Sequence, residues 1–458
     1  MDEPTWRAFG AGMTLLGYVA LCTAIYLRQR SRGAAARREA SALAGDGSAE
    51  PALVLFASQT GQAEALAWQT AHGLQAQGKP VRVLPLDALD LPTLARTSQA
   101  LFIASTYGEG DAPDGAGVFA AECMQAYASL ANVRYAVLAL GDRQYKHFCG
   151  FGRALDQWLL ASGATPLQPR VDVDNADPAL LSEWLARWGA GSGKPMTAAA
   201  AAQDSETTWR LSARRQLNEG STGAPVFELA LRPDRADAAL PSWEPGDLAR
   251  IELASDPARP RDYSIASIHA DGELQLIVRQ ERRADGSLGA ASGWLTAHLS
   301  VGDSVALRLR PHRNFRIDAN ATRPLILIGN GTGLAGLRSH LRARAHAGQF
   351  DNWLIFGERN AAHDFLCREE IEAWRRSGVL QRLDLAFSRD QAARCYVQHR
   401  LLQAADTLTK WLQRGAALYV CGSLQGMASG VDAALRQIAG DAAVRDLTLS
   451  GRYRRDVY

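Results

Sequence analysis

Short apolar runs, each too brief for a core helix, end repeatedly in clusters of glycine and hydroxyl residues. Leu53–Ala57 runs into Ser58, Leu101–Ser105 into Thr106, Tyr135–Leu140 into Gly141, Leu325–Ile328 into Gly329, and Leu418–Val420 into Cys421. Buried strands that alternate with helical stretches make an α/β chain with doubly wound parallel sheets. In such sheets ligands bind outside the carboxyl ends of the strands. The loops at these strand ends are therefore where chemistry is sought.

The first loop, Ser58-Gln59-Thr60-Gly61-Gln62-Ala63-Glu64, is either a phosphate cradle at a helix start or a plain helix cap. Two further loops decide between them: Thr106-Tyr107-Gly108-Glu109-Gly110, and Leu140-Gly141-Asp142 continuing through Tyr145 to Phe148. Tyr107 and Tyr145, at matching strand ends beside the phosphate loop, can sandwich an isoalloxazine ring. That predicts a flavodoxin-like FMN domain over 51–188. His147 and Cys149 read as loop packing, since the sequence supplies neither with a catalytic partner. The carboxylates Glu109, Asp111, Asp114, Asp142, Asp172, Asp174 and Asp177 form either a solvated face or a docking rim for a basic redox partner.

Composition narrows the classes. A net charge of +2 gives no general case for nucleic-acid binding. The six cysteines lack any C-x-x-C pair, which argues against a zinc site, an iron–sulfur cluster or a disulfide framework, so no metal is expected. Ala8–Leu27 has no charged residue and matches the roughly 20 residues of a bilayer span. The arginines Arg28, Arg30, Arg32, Arg37 and Arg38 follow it. The expectation is a single-pass helix over 8–27 in the inner or plasma membrane, N-terminus out, then a tether over 28–50 and cytoplasmic flavin domains. A cleaved secretory signal would want its positive charge before the apolar run, where Asp2 and Glu3 stand.

Residues 189–206 are small and polar and read as a linker, whose span of roughly 20–24 Å lets the flanking parts swing. From 207 to 322 alternating strands with Pro-Gly and Asp-Gly turns predict an antiparallel barrel. Within it, Arg261-Asp262-Tyr263-Ser264 offers a cation for a diphosphate, a phenol for a flat ring and a hydroxyl for a ring nitrogen. Those groups suit FAD, and Gly289-Ala290-Ala291-Ser292, at a helix start, suits its diphosphate or is merely a helix cap. From 323 to 458 the α/β pattern returns, with Gly331-Thr332-Gly333 between a strand and a helix as a dinucleotide turn. Ser388, Arg389, Arg394, Tyr396 and Gln398 then offer two guanidiniums beside polar groups, which favours the 2′-phosphate of NADPH.

Assembled in this order, the motifs over about 51–458 resemble the diflavin reductase family, with a C-terminal run especially like that of the sulfite reductase flavoproteins. The resemblance implies a flavodoxin-like sheet followed by a ferredoxin-reductase-like module of FAD barrel and NADP domain. It also implies electron flow from NADPH to FAD to FMN to a redox protein such as a hemoprotein. By the same resemblance, the hydride-transfer set falls on Ser264, Cys421 and Asp456, and the terminal aromatic that stacks on FAD falls on Tyr458. Arg394 stands in place of the family's usual Lys. Three departures stand out. The large helical insertion of the FAD barrel is missing, Asn330 replaces a Pro, and Gly336-Leu337 replaces Pro and an aromatic. Asp262 is unexpected too, and strand alternation turns it away from Arg261 and Tyr263. The competing readings are a direct reductase of a small acceptor, such as a ferric chelate or free flavin, and a non-catalytic flavin sensor.

Overall fold

The computed structural model describes residues 50–189 and 207–458, apart from 59–60, 107–109, 127, 144–146, 175, 235–239, 254–255 and 284. The first sheet contains β1 (Ala52–Ala57), β2 (Val81–Pro85), β3 (Gln99–Ser105), β4 (Arg134–Gly141), β5 (Thr165–Pro166) and β6 (Val171–Asp174). Its pairs are all parallel and run in the order β2-β1-β3-β4-β5, with β6 also on β4. This is the flavodoxin-like order, with its topological switch between β1 and β3. Both faces are covered, so the interiors of β1, β3 and β4 are continuous apolar runs instead of alternating. Helix α1 (Gln62–Ala76) lays Ala63, Leu66, Ala67, Thr70, Ala71 and Leu74 against one face, the three-and-four spacing of a single buried stripe. Thr70 Oγ1 accepts the indole N–H of Trp184 at 3.1 Å, which fastens the helix that closes this domain, α2 (Pro178–Arg187), onto α1.

The second sheet is antiparallel. It contains β7 (Thr207–Gln216), β8 (Val226–Pro233), β9 (Leu248–Leu253), β10 (Asp256–Ser264), β11 (Leu274–Arg279) and β12 (Ser304–Arg310), in the order β10-β9-β12-β7-β8-β11. Its two end strands meet at the Ile265–Leu276 bridge, so the sheet closes into a barrel around Trp209, Leu229, Ile251, Ile265 and Leu295. β9 and β10 are separated in sequence only by 254–255, and no helical insertion stands between them. Asp262 does face outward: Arg250 donates to both its oxygens at 2.9 and 2.8 Å, and Arg310 adds a bond of 2.6 Å. The unexpected acid thus bridges three neighbouring strands on the barrel's outer face.

The third sheet, β15-β14-β13-β16-β17, is parallel and comprises β13 (Leu325–Asn330), β14 (Asn352–Glu358), β15 (Arg382–Phe387), β16 (Ala417–Gly422) and β17 (Tyr453–Val457). Helix α3 (Leu334–His346) follows the glycine turn and packs between sheet and barrel. Its Arg338 is buried and pairs at 2.6 Å with Glu228 of β8 and with Glu370. Removing one partner of such a pair leaves an uncompensated buried charge, which costs about 3–5 kcal/mol.

Among the described residues no helix is long and apolar enough to cross a membrane. The longest, α1, has 15 residues, short of the roughly 20 that a bilayer requires. The expected placement in the inner or plasma membrane is therefore not upheld. The span expected over 8–27 and the tether over 28–50 lie outside the described residues, as does the linker beyond Gly189.

His340 of α3 is fully buried against Phe315 and Tyr419, with ring centroids 5.0 and 4.9 Å away. Burial pushes its pKa down to about 3. The unfolded chain therefore takes up a proton near pH 6.5 that the folded chain refuses until about pH 3. The resulting stability is fully present above pH 6.5 and is lost as pH falls through that window. Between pH 7 and 5 this one group should remove about 2 kcal/mol. Denaturant unfolding of His340→Gln at both pH values should show a correspondingly smaller pH dependence than the parent protein.

Candidate functional site

Three features meet where β1, β3 and β4 end. Gly61 caps α1 in the left-handed region, at φ 84°, which turns the chain sharply from strand to helix. Ser58 and Thr106 bring buried hydroxyl oxygens that have no hydrogen-bond partner among the described residues. A buried polar group left unpaired costs about 1–3 kcal/mol, so two of them beside a helix N-terminus fit an anion such as a flavin phosphate. Gln62 is half-buried, while Ala63 turns into the core. Leu140 is also a core side chain, and it contributes its carbonyl, which accepts Thr106 N–H at 2.8 Å. Gly110, Gly141 and Asp142 lie along the same edge. Gln59, Thr60, Tyr107, Gly108, Glu109 and Tyr145 fall outside the described residues, the two expected sandwich rings among them.

Phe148 is placed differently from the expectation. Its ring carries the guanidiniums of Arg143 and Arg153 at 5.1 and 5.6 Å and packs against the core. Cys149 is buried and donates to Ala139 O at 3.3 Å; burial, reinforced by Asp172, pushes its thiol up to about 12, so it packs as an inert group. Much of the acidic rim is internally engaged. Asp172 pairs with Arg153 and Arg170, Asp174 with Arg143, and Asp177 caps α2 by accepting Ala179 N–H.

The second cluster draws on two sheets. β16 and β17 run parallel in a register that sets Cys421 beside Asp456. The end of β10 brings Ser264, which is 192 residues away in sequence from Asp456. Ser264 Oγ donates to Asp456 Oδ2 at 2.7 Å, and Cys421 Sγ donates to the same oxygen at 3.5 Å. All three side chains are buried. Burial first, and then the Asp456 charge, raises the Cys421 pKa well above its usual value, so the thiol keeps its proton. Gly333 is required here, because a Cβ on it would stand 2.1 Å from Cys421 O. Asn330, at the position where the resemblance implies a Pro, accepts Ser423 N–H at 3.0 Å and so ties the glycine turn to the loop after Cys421.

A cavity of about 670 Å³ opens beside this cluster, lined by Gly331, Thr332, Ser388, Tyr396, Gln398 and Tyr458 together with Arg279, Glu358 and Arg359. Gln398 Oε1 is buried there with no hydrogen-bond partner among the described residues, an acceptor that suits a polar ligand atom. Tyr458 donates its main-chain N–H to Gly422 O and accepts Leu424 N–H, both at 3.0 Å. The residue as a whole is 58% exposed, but its hydroxyl lies 3.1 Å from Thr332 Oγ1, and burial raises the phenol well above its usual pKa. Arg389 and Arg394 are exposed and do not line the cavity. On the barrel side Tyr263 is half-buried, Ala291 packs into the barrel core, and Ser292 Oγ already accepts Glu281 N–H at 3.1 Å. Gly289 and Ala290 stand half-buried at the start of that turn, and Arg261 is half-buried on β10. Sequence reading missed Arg279 and Arg359. Arg279 ends a barrel strand yet pairs with Glu358 of the third sheet, a relation between sheets that strand alternation cannot reveal.

Comparison with known families matches two parts of the chain. The family described as Flavodoxin matches residues 54–188, and that described as Oxidoreductase NAD-binding domain matches 327–433. The sulfite reductase [NADPH] flavoprotein alpha-component of Vibrio cholerae is 29% identical, over 88% of this chain and 87% of that protein. Its counterpart in Vibrio parahaemolyticus is 29% identical over 94% and 90%, and that in Bacillus subtilis 27% over 88% and 89%. The first of these alignments spans 537 positions, more than the 458 residues of this chain, so that relative carries segments this chain lacks. Domain order and relatives together support the diflavin reductase family, and the chain is an NADPH-dependent oxidoreductase that uses FMN, FAD and NADPH.

Proposed function

We propose that the chain takes a hydride from NADPH at Ser264, Cys421 and Asp456 and delivers electrons singly to a separate redox protein, a hemoprotein or similar. FAD supplies a two-electron acceptor that can also give up electrons one at a time, and FMN supplies the outlet. On this reading residues 51–188 hold FMN, 207–322 hold FAD and 323–458 hold NADPH. The cavity residues Ser388, Tyr396 and Gln398, with Arg389 and Arg394 beside them, bind the 2′-phosphate end. Tyr458, pinned by its backbone and lining the cavity, covers the flavin face until the nicotinamide displaces it.

The observation that supports the proposal is the contact between the Ser58 loop and the segment that leads to Asp456. Asn314 Nδ2 donates at 2.9 Å to Ser58 O, in the phosphate loop of the first sheet, and Arg313 lies 3.9 Å from Glu64. Asn314 in turn follows two residues after His312, which lies against Asp456. The relatives are named as flavoprotein components of sulfite reductase, which supports a second protein as acceptor.

The purified chain should release one FMN and one FAD on denaturation. Depleting FMN should abolish NADPH-driven reduction of a heme protein such as cytochrome c, while ferricyanide, small enough to reach the FAD site, is still reduced. Undiminished heme-protein reduction without FMN would favour direct reduction of acceptors at FAD and sink the relay.

A further inference from the structure

In the Ser264–Cys421–Asp456 cluster one carboxylate oxygen receives neither donor. Both donors engage Asp456 Oδ2, whereas Oδ1 faces Nδ1 of His312 at 3.9 Å. His312 is 2% exposed, and neither of its ring nitrogens has a hydrogen-bond partner among the described residues. An imidazole carries at least one N–H in every protonation state, so a buried ring without partners holds a donor aimed at nothing else. Its place is set by the chain. The His312 main-chain N–H donates to Asp247 Oδ1 at 2.9 Å, Asp247 is clamped by two Arg316 bonds of 2.7 Å, and the ring stacks on Phe315 at 6.0 Å and 23°.

We propose that His312 is a positioning residue for Asp456, its protonation state setting the orientation and effective charge of the carboxylate at the hydride-transfer site. The proposal rests on the reading of Ser264, Cys421 and Asp456 given above. With His312 neutral, its N–H can steady Oδ1 while the carboxylate keeps its full charge. With His312 protonated, the pair cancels most of that charge at short range in a buried site, where screening is weak. The nicotinamide C4–H bond breaks with its electron pair, reducing the flavin and leaving the nicotinamide ring cationic. No proton enters or leaves the set, so its contribution is electrostatic. A free carboxylate favours the cationic product, and a neutralised one does not.

Among the described residues, the other titratable and charged groups near the ring include Asp247 on the barrel side, Arg313 and Arg316 on its own segment, Tyr419 and Cys421 on β16, Arg454 on β17 and His340 on α3. Cys421 keeps its thiol proton, and burial holds His340 neutral down to about pH 3.

The test uses the full-length holoenzyme, its His312→Gln variant and, should that variant lose FAD, the shorter amide His312→Asn. FAD reduction by NADPH in a single turnover should fall by about tenfold from pH 8 to pH 6 in the parent and stay within about twofold in the variant. A second readout is the FAD midpoint potential. Parent and variant should coincide at pH 8, and at pH 6 the parent should be the more positive, because its imidazolium offsets the carboxylate next to the reduced ring. Identical pH profiles in parent and variant, for rate and potential alike, would overturn the proposal. Asp456→Asn, run in parallel, separates the two readings: an unchanged hydride-transfer rate there removes the underlying site assignment itself.

Discussion

Asp456→Asn should slow single-turnover reduction of FAD by NADPH by about 10²-fold while both flavins stay bound, the size of effect seen when one preorganised electrostatic group is removed from a site. The substitution is nearly isosteric, and the Asn carbonyl can still accept the Ser264 hydroxyl at the position of Oδ2. What is lost is a full negative charge in a pocket where Asp456 is 9% exposed and Cys421 fully buried. Cys421 cannot replace that charge, because its thiol stays protonated. Stopped-flow absorbance of the flavins, read with the flavin content of the same preparation, checks the expectation. A loss of FAD with an unchanged rate per bound flavin would make Asp456 a structural residue.

Replacing Arg389 and Arg394 together with Ala should lower kcat/KM for NADPH by about 10²-fold and leave NADH nearly untouched. A charge-assisted hydrogen bond to a phosphate is worth about 1.5–3 kcal/mol, and exposure of both guanidiniums puts them at the low end of that range. Removing both guanidiniums therefore costs about 3 kcal/mol, which is the stated factor. The loop that carries them is fixed from behind: Ser388 N–H donates to Glu358 O at 2.9 Å and Arg389 N–H to Arg359 O at 2.7 Å. The double variant should therefore keep its fold and its cavity. Because the proposed phosphate interactions are exposed, the penalty should also shrink as salt is raised. Equal losses with both nucleotides would mean that these arginines serve the loop and not the 2′-phosphate.

Most of the fold could be read in the chain because its signals are local. The runs Leu53–Ala57, Leu101–Ala104 and Tyr135–Leu140 are apolar throughout because both faces of their sheet are covered, and glycine and hydroxyl residues follow them at the strand ends. The barrel was legible from alternation and turns, and the return to α/β from the strand and glycine turn at Leu325–Gly333. The N-terminal membrane expectation shows the limit of a local signal. An uncharged stretch of suitable length is compatible with a span, but the described fold contains no helix that could form one.

Strand and turn preferences act over a few residues, so the order of the three sheets and the loops that end their strands are written locally in the chain. The tertiary structure alone decided which side chains share a site. Ser264 and Asp456 meet across 192 residues because barrel and third sheet pack together, and Cys421 joins them through the register of β16 on β17. The Arg279–Glu358 pair, the engagement of Asp172 and Asp174 by arginines, and the place of His312 behind Asp456 have the same origin. Apart from the Arg170–Asp172 pair, two residues apart, each depends on how helices and sheets pack and on strand register, which are set by burial summed over whole faces.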